Sequence, residues 1–147
     1  MGKRGDGIVF TGEYNYAIDD KGRLNFPARF REQMGECFIV TRWLDDCLVA
    51  FPEKEWERIS SLLSEKSIVK SRDIQRFLYA SAIEAQPDKQ GRILLPQALR
   101  DHAMLTKDVT IIGVGSHAEI WDTAAWNEQA QRMRSGEIAN AMEELDF

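Results

Sequence analysis

The chain carries one thirteen-residue stretch twice. Asp19-Asp20-Lys21-Gly22-Arg23-Leu24-Asn25-Phe26-Pro27-Ala28-Arg29-Phe30-Arg31 returns 69 positions later as Asp88-Lys89-Gln90-Gly91-Arg92-Ile93-Leu94-Leu95-Pro96-Gln97-Ala98-Leu99-Arg100. Five of the thirteen positions are identical (Asp, Gly, Arg, Pro, Arg), where background composition would give about one. Leu24/Ile93, Phe26/Leu95 and Phe30/Leu99 are apolar in both copies, and Phe51 and Trp56 match Trp121 and Trp126 after a one-residue shift. Two copies are too few for a solenoid or a propeller. Each repeat unit, at about 45 residues, is also too small to fold unaided. A pseudo-twofold pair sharing one core is therefore expected.

Each copy reads alike. Residues 14–18 have strand composition, 19–22 form a turn cluster with glycine available for positive φ, and 23–26 return as a second strand. Pro27 then suits the start of a short helix. Residues 37–41 and 47–51 read as two further strands, followed by a helix with Trp56, Ile59, Leu62 and Leu63 at spacings of three and four. The second copy predicts strands at 82–86, 92–95, 109–114 and 118–121, a helix from Pro96, and a last helix striped by Trp126, Ala130 and Met133. Residues 72–80, with Ile74, Phe77 and Leu78 on one face, predict a helical connection. The expected fold is α+β and mainly β: intertwined hairpins in a small barrel with flanking helices. The expected division is 1–12 as an extension (native or a cloning remnant), 13–55 as repeat 1, 56–81 as a helical linker, 82–125 as repeat 2, and 126–147 as a C-terminal helix with an acidic tail.

Charge leaves the partner open. The net charge of −5 argues against nucleic acid, but residues 135–147 hold four acids and no base and so supply −4 of it. Residues 19–31 carry four bases against two acids, and 88–100 carry three against one, so each stretch is locally +2. No apolar stretch approaches the ~20 residues of a membrane-spanning helix. The first six residues lack the apolar centre of a secretion signal. Two cysteines provide no disulfide framework, so a soluble cytoplasmic protein is expected.

The duplicated turn suggests a chemistry. Glycine permits a tight reversal, and the arginine after it, Arg23 or Arg92, leaves the turn on a rigid ribbon. A two-stranded ribbon fits a DNA major groove, where a guanidinium can bond guanine O6 and N7 together. Asp19 and Asp88, four residues earlier, can hold the turn amides or the guanidinium. A plain surface salt bridge is the competing account, and for an isolated Asp-x-x-x-Arg it is the commoner one. Arg29, Arg31 and Arg100 follow the prolines on short helices, where phosphate contact and a solvated face are both open. The tryptophans recur at packed repeat positions, which favours core or subunit interface over base stacking.

Enzyme motifs are missing. Gly113-Val114-Gly115-Ser116 begins like a dinucleotide loop, but Ala118 stands where the third glycine belongs. His102 and His117 with Cys37 and Cys47 lack zinc-site spacing. No catalytic residue, cofactor or metal is expected.

From about Phe10 to Met133 the chain resembles the MraZ family of transcriptional regulators, each half of which is similar to the AbrB-type swapped-hairpin DNA-binding fold. The resemblance rests on Gly12-Glu13-Tyr14, Asp19-Asp20-Lys21-Gly22-Arg23-Leu24, Pro27 and Arg31. In the second half it rests on Asp88, Gly91-Arg92, Pro96, Leu99-Arg100 and Leu105-Thr106-Lys107. It implies a nucleoid-associated bacterial regulator, usually a repressor, at the promoter of the division and cell-wall gene cluster that includes its own gene. It also implies a closed, octamer-like homo-oligomeric ring reading short direct repeats of double-stranded DNA. The expected DNA-binding set is Asp19, Lys21, Arg23, Arg29 and Arg31 in the first copy and Asp88, Lys89 and Arg92 in the second. The rival readings are an AbrB-like antitoxin and an oligomeric scaffold that binds no DNA.

Overall fold

A computed structural model describes residues 9–134 and 136–146. The reading of the first residues as an extension falls outside the described residues up to position 8. The element order repeats: β1 (Glu13–Ala17), β2 (Arg23–Asn25), α1 (Ala28–Met34), β3 (Phe38–Arg42), β4 (Leu48–Pro52), α2 (Glu53–Ser64) and α3 (Ile68–Tyr79) are followed by a second set of the same kinds. That set is β5 (Ile83–Ala85), β6 (Arg92–Leu94), α4 (Gln97–His102), β7 (Asp108–Gly113), β8 (Ala118–Asp122), α5 (Thr123–Arg132) and α6 (Gly136–Glu144). Pro27 and Pro96 stand immediately before α1 and α4, where a missing N–H costs nothing.

The strands interleave the two copies. Six form one antiparallel sheet in the order β1-β7-β8-β4-β3-β5, and β2 and β6 form a separate two-stranded ribbon. The order is a palindrome of repeat positions. Hairpins β3–β4 and β7–β8 meet at the centre, where Leu48 lies opposite Ile120 and Ala50 opposite Ala118. Each outer strand comes from the other copy, β1 on β7 and β5 on β3. In the ribbon Leu24 pairs with Ile93, both fully buried. The core consequently draws on both halves: Phe26, Phe30, Phe38 and Leu48 pack with Ile93, Leu95, Leu99 and Ile120. Phe30 meets Phe10 and Tyr14 edge to face at centroid distances of 5.3 and 5.2 Å. A fully buried side chain of this size contributes about 1.5–3 kcal/mol by leaving water.

The expected mainly-β barrel of swapped hairpins is not what forms. The sheet stays open, with β1 and β5 as its edges, and more of the described chain is helix than strand. The reason lies in the turns after β1 and β5. Beyond each turn the chain leaves the sheet, so β2 makes no ladder with β1 and pairs only with β6. Three-residue strands span about 10 Å at ~3.3 Å per residue, too short a seam to close six strands into a barrel. Helices cover the sheet instead: α2 and α3 lie on β3 and β4, and α5 on β7 and β8.

Trp121 is buried with Cys47 and Ile112, and half-buried Trp43 and Trp126 pack against that cluster. Cys37 and Cys47 are free thiols. Helix α3 is tied down by β3: the Thr41 hydroxyl donates to Leu78 O, Arg42 Nε donates to Phe77 O at 2.9 Å, and the Arg42 guanidinium lies 4.8 Å from the Phe77 ring centroid. Its counterpart α6 is exposed along its whole length.

Candidate nucleic-acid interface

The two turns are built by the same bonds. Gly22 and Gly91 adopt φ of 85° and 80°, the left-handed region that a side chain resists. Gly22 N–H donates to Asp19 O at 3.0 Å and Gly91 N–H to Asp88 O at 2.9 Å. The Asp19 carboxylate then organises its turn: Oδ1 accepts from the N–H groups of Lys21 (3.0 Å) and Arg23 (2.9 Å), and Oδ2 accepts from Arg23 Nε at 2.7 Å. Asp88 repeats this with the N–H groups of Gln90 and Arg92, both at 2.9 Å, and with Arg92 Nε at 3.1 Å. Both carboxyls are held below the usual carboxylate range. The largest cause is the donated backbone N–H of Arg23 or Arg92, with the guanidinium bond adding to it and partial desolvation opposing it.

Each turn is also gripped by the other copy. Phe26 N–H donates to Gly91 O at 2.9 Å, and Leu95 N–H to Gly22 O at 2.8 Å. Arg31 Nε donates to Phe26 O and Arg100 Nε to Leu95 O, both at 3.0 Å. The Arg31 guanidinium lies against Gly91, where a Cβ would come within 2.7 Å of Cζ. Arg100 lies against Gly22 in the same way, with Leu95 O only 2.6 Å from where a Cβ would stand. All five identities of the duplicated stretch thus have a physical task. Aspartate receives the turn amides, glycine makes room, the first arginine leaves the turn, proline starts the helix, and the second arginine closes over the opposite glycine.

The ribbon carries both turn arginines on one face. Arg23 lies opposite Leu94 and Asn25 opposite Arg92, so the alternation that buries Leu24 and Ile93 turns these four outward. Arg23 and Arg92 are diagonal neighbours, about 7–8 Å apart by strand geometry. Their side chains are 38% and 30% exposed, and the carboxylates engage only Nε, so the terminal nitrogens make no hydrogen bond among the described residues. The pairing of β2 with β6 joins both arginines in a single ribbon. Lys21 and Lys89 are exposed on the turns, and Arg29 is exposed on α1 with no ion pair among the described residues. Arg31, by contrast, is drawn into the grip on Gly91. Arg100, which the candidate set left out, does the same at Gly22. The signal for both was present as Pro-x-x-x-Arg in each copy.

These features define a tandem-repeat protein in which two copies of one unit complete each other's turns around a shared core. The family described as "MraZ protein, putative antitoxin-like" matches residues 9–77 and again residues 78–146. The chain is 44% identical over 141 residues to the transcriptional regulator MraZ of Heliobacterium modesticaldum, covering 95% of this chain and 99% of that relative. It is 45% identical over 143 residues to its namesake in Carboxydothermus hydrogenoformans, with 95% and 99% covered. Against the Limosilactobacillus fermentum protein of the same name it is 48% identical over 120 residues, covering 80% and 84%. The chain belongs to the MraZ family, and its general role is that of an MraZ-type transcriptional regulator rather than an enzyme. Among the described residues no helix is long and apolar enough to cross a membrane.

Proposed function

We propose that this protein regulates transcription by binding specific double-stranded DNA through the outward face of the β2–β6 ribbon. The observation that carries this reading is the pair Arg23 and Arg92, aimed from one short ribbon by identical aspartate contacts. A guanidinium held at Nε keeps its terminal nitrogens for a base edge, and one good bidentate contact discriminates by about 1–3 kcal/mol. Family membership supports the further reading of a repressor at promoter direct repeats of the bacterial division and cell-wall gene cluster, acting at the nucleoid.

Assembly multiplies the contact. An apolar groove of about 550 Å³ opens between α2 and α3, lined by Trp43, Leu44, Ile59, Leu62, Ile74 and Phe77. Its occupant is α6 of the next copy, whose Ile138, Met142 and Leu145 are exposed. The end of α6 carries Glu143 and Glu144, while α3 carries Lys70 and Arg72 besides the Arg76–Asp73 ion pair, so the two surfaces are also opposite in net charge. A groove in one half receiving a helix from the other half is a head-to-tail contact, which closes into a ring when the rotation permits. Weak contacts from neighbouring ribbons then sum through effective concentration.

Gel shifts at fixed salt test the reading with the duplex upstream of the protein's own gene and a scrambled duplex. Arg23→Ala abolishes preference for the upstream duplex while fold and oligomer persist, and Arg92→Ala weakens that preference. Arg29→Ala lowers affinity for both duplexes alike. If Arg23→Ala keeps the wild-type preference, the ribbon is not the reader and the Asp19–Arg23 pair is a surface salt bridge.

A further inference from the structure

Beside each turn lies a depression, and the two differ in charge. The first, about 550 Å³, is lined by Asp19, Asp20, Arg100, Thr106 and Lys107. The second, about 780 Å³, occupies the equivalent place in the other copy and is lined by Arg31, Glu32, Glu36 and Asp88. Arg23 and Arg92 match the charges of Asp19 and Asp88. What remains is two bases against Asp20 in the first depression, and one base against two glutamates in the second. Lys107 is exposed and makes no ion pair among the described residues. Its carbonyl accepts from Ile18 N–H at 2.8 Å, which ties its backbone to the residue before Asp19. Arg100 spends only Nε on Leu95 O.

We infer that Lys107 and Arg100 bind a DNA backbone phosphate beside the first turn, and that the second turn has no such anchor. This rests on the DNA-binding reading above. A phosphate within reach of two cationic groups gains charge-assisted hydrogen bonds and releases counterions. The same phosphate beside the second turn would face Glu32 and Glu36. The ribbon, nearly symmetric in its base-facing arginines, therefore has a direction on the duplex set by a one-sided anchor. Lys107 positions the protein without reading sequence.

The experiment is the salt dependence of binding by the full-length assembly, measured on both duplexes with oligomer mass checked for every variant. Lys107→Ala is expected to weaken both duplexes equally, to keep the preference between them, and to lower the log–log salt slope by about 0.9 per engaged subunit. Glu36→Lys is expected to raise the slope by installing a second anchor, and Lys54→Ala, on α2, to leave it unchanged. A wild-type slope for Lys107→Ala overturns the anchor whatever the preference. Loss of preference in that variant also overturns it, by making Lys107 a base reader. If wild type shows no preference for either duplex, the sequence-reading proposal fails, while the slope on scrambled DNA still decides the anchor.

Discussion

The two turns and the two helical tails are regions with the same origin in the repeat and opposite fates. At the turns, every bond of the first copy has its partner in the second, within 0.4 Å. At the tails, α3 is fastened to β3 by Thr41 and Arg42, while α6 meets solvent along its length. The turns are closed by each other, so a change in one is felt by both and their geometry stays matched. The tails carry no such mutual constraint, and unlike surfaces are what a head-to-tail contact requires.

The sharpest way to break this comparison is to separate the copies. A chain of residues 9–70 leaves β1 without β7 and β2 without β6, so no cooperative unfolding of a monomer is expected by calorimetry or circular dichroism. A monomeric fragment with a sharp transition would show the shared core to be dispensable. Removing α6 by ending the chain at Arg134 probes the tails. The ribbon and core should persist, but the mass by light scattering should fall to that of a single chain, whereas an unchanged mass would dismiss α6 as the occupant of the groove.

Smaller substitutions sharpen the turns. Gly22→Ala and Gly35→Ala both place a side chain at positive φ, a strain of about 1–3 kcal/mol. Only at Gly22 does the added Cβ also collide with backbone, at Leu95 O, whereas nothing lies within 4 Å of it at Gly35. Gly22→Ala should therefore lower the melting temperature more, and equal losses would remove the cross-copy grip as a source of stability. The mildest effect is that of pH. Asp19 and Asp88 have folded pKa values below their unfolded ones, so their contribution is complete above about 3.9 and disappears as pH falls through the folded values. Asp19→Asn should be less stable than wild type near neutrality, with the gap closing below pH 4; a constant gap would show that the carboxylate charge is immaterial.

Much of this architecture was legible in the residues. Turn glycines, strand composition and prolines mark the elements of both copies, because those signals are local. Pairing partners are not local. The alternation in 23–26 shows that one face is buried but not that β6, rather than β1, supplies the hydrogen bonds, and the barrel expectation failed there. Arg31 and Arg100 were readable only as helix bases, since the groups they hold lie on another strand. Residues 126–147 read as one C-terminal helix with an acidic tail, whereas the structure folds the acidic stretch into a second helix, α6. At the candidate interface, Asp19, Lys21, Arg23, Asp88, Lys89 and Arg92 fall together on the turns and ribbon, whereas Lys107 reaches the first turn through the Ile18–Lys107 hydrogen bond, which sequence spacing does not announce.

The crossed grip of Arg31 on Gly91 and of Arg100 on Gly22 also sets the inheritance of damage. A lesion at Arg31 loosens first the turn that bears Arg92, and a lesion at Arg100 the turn that bears Arg23. The heritable unit is thus the pair of copies and not either copy. A selection for second-site revertants of a defect in one half of the gene should recover them in the other half.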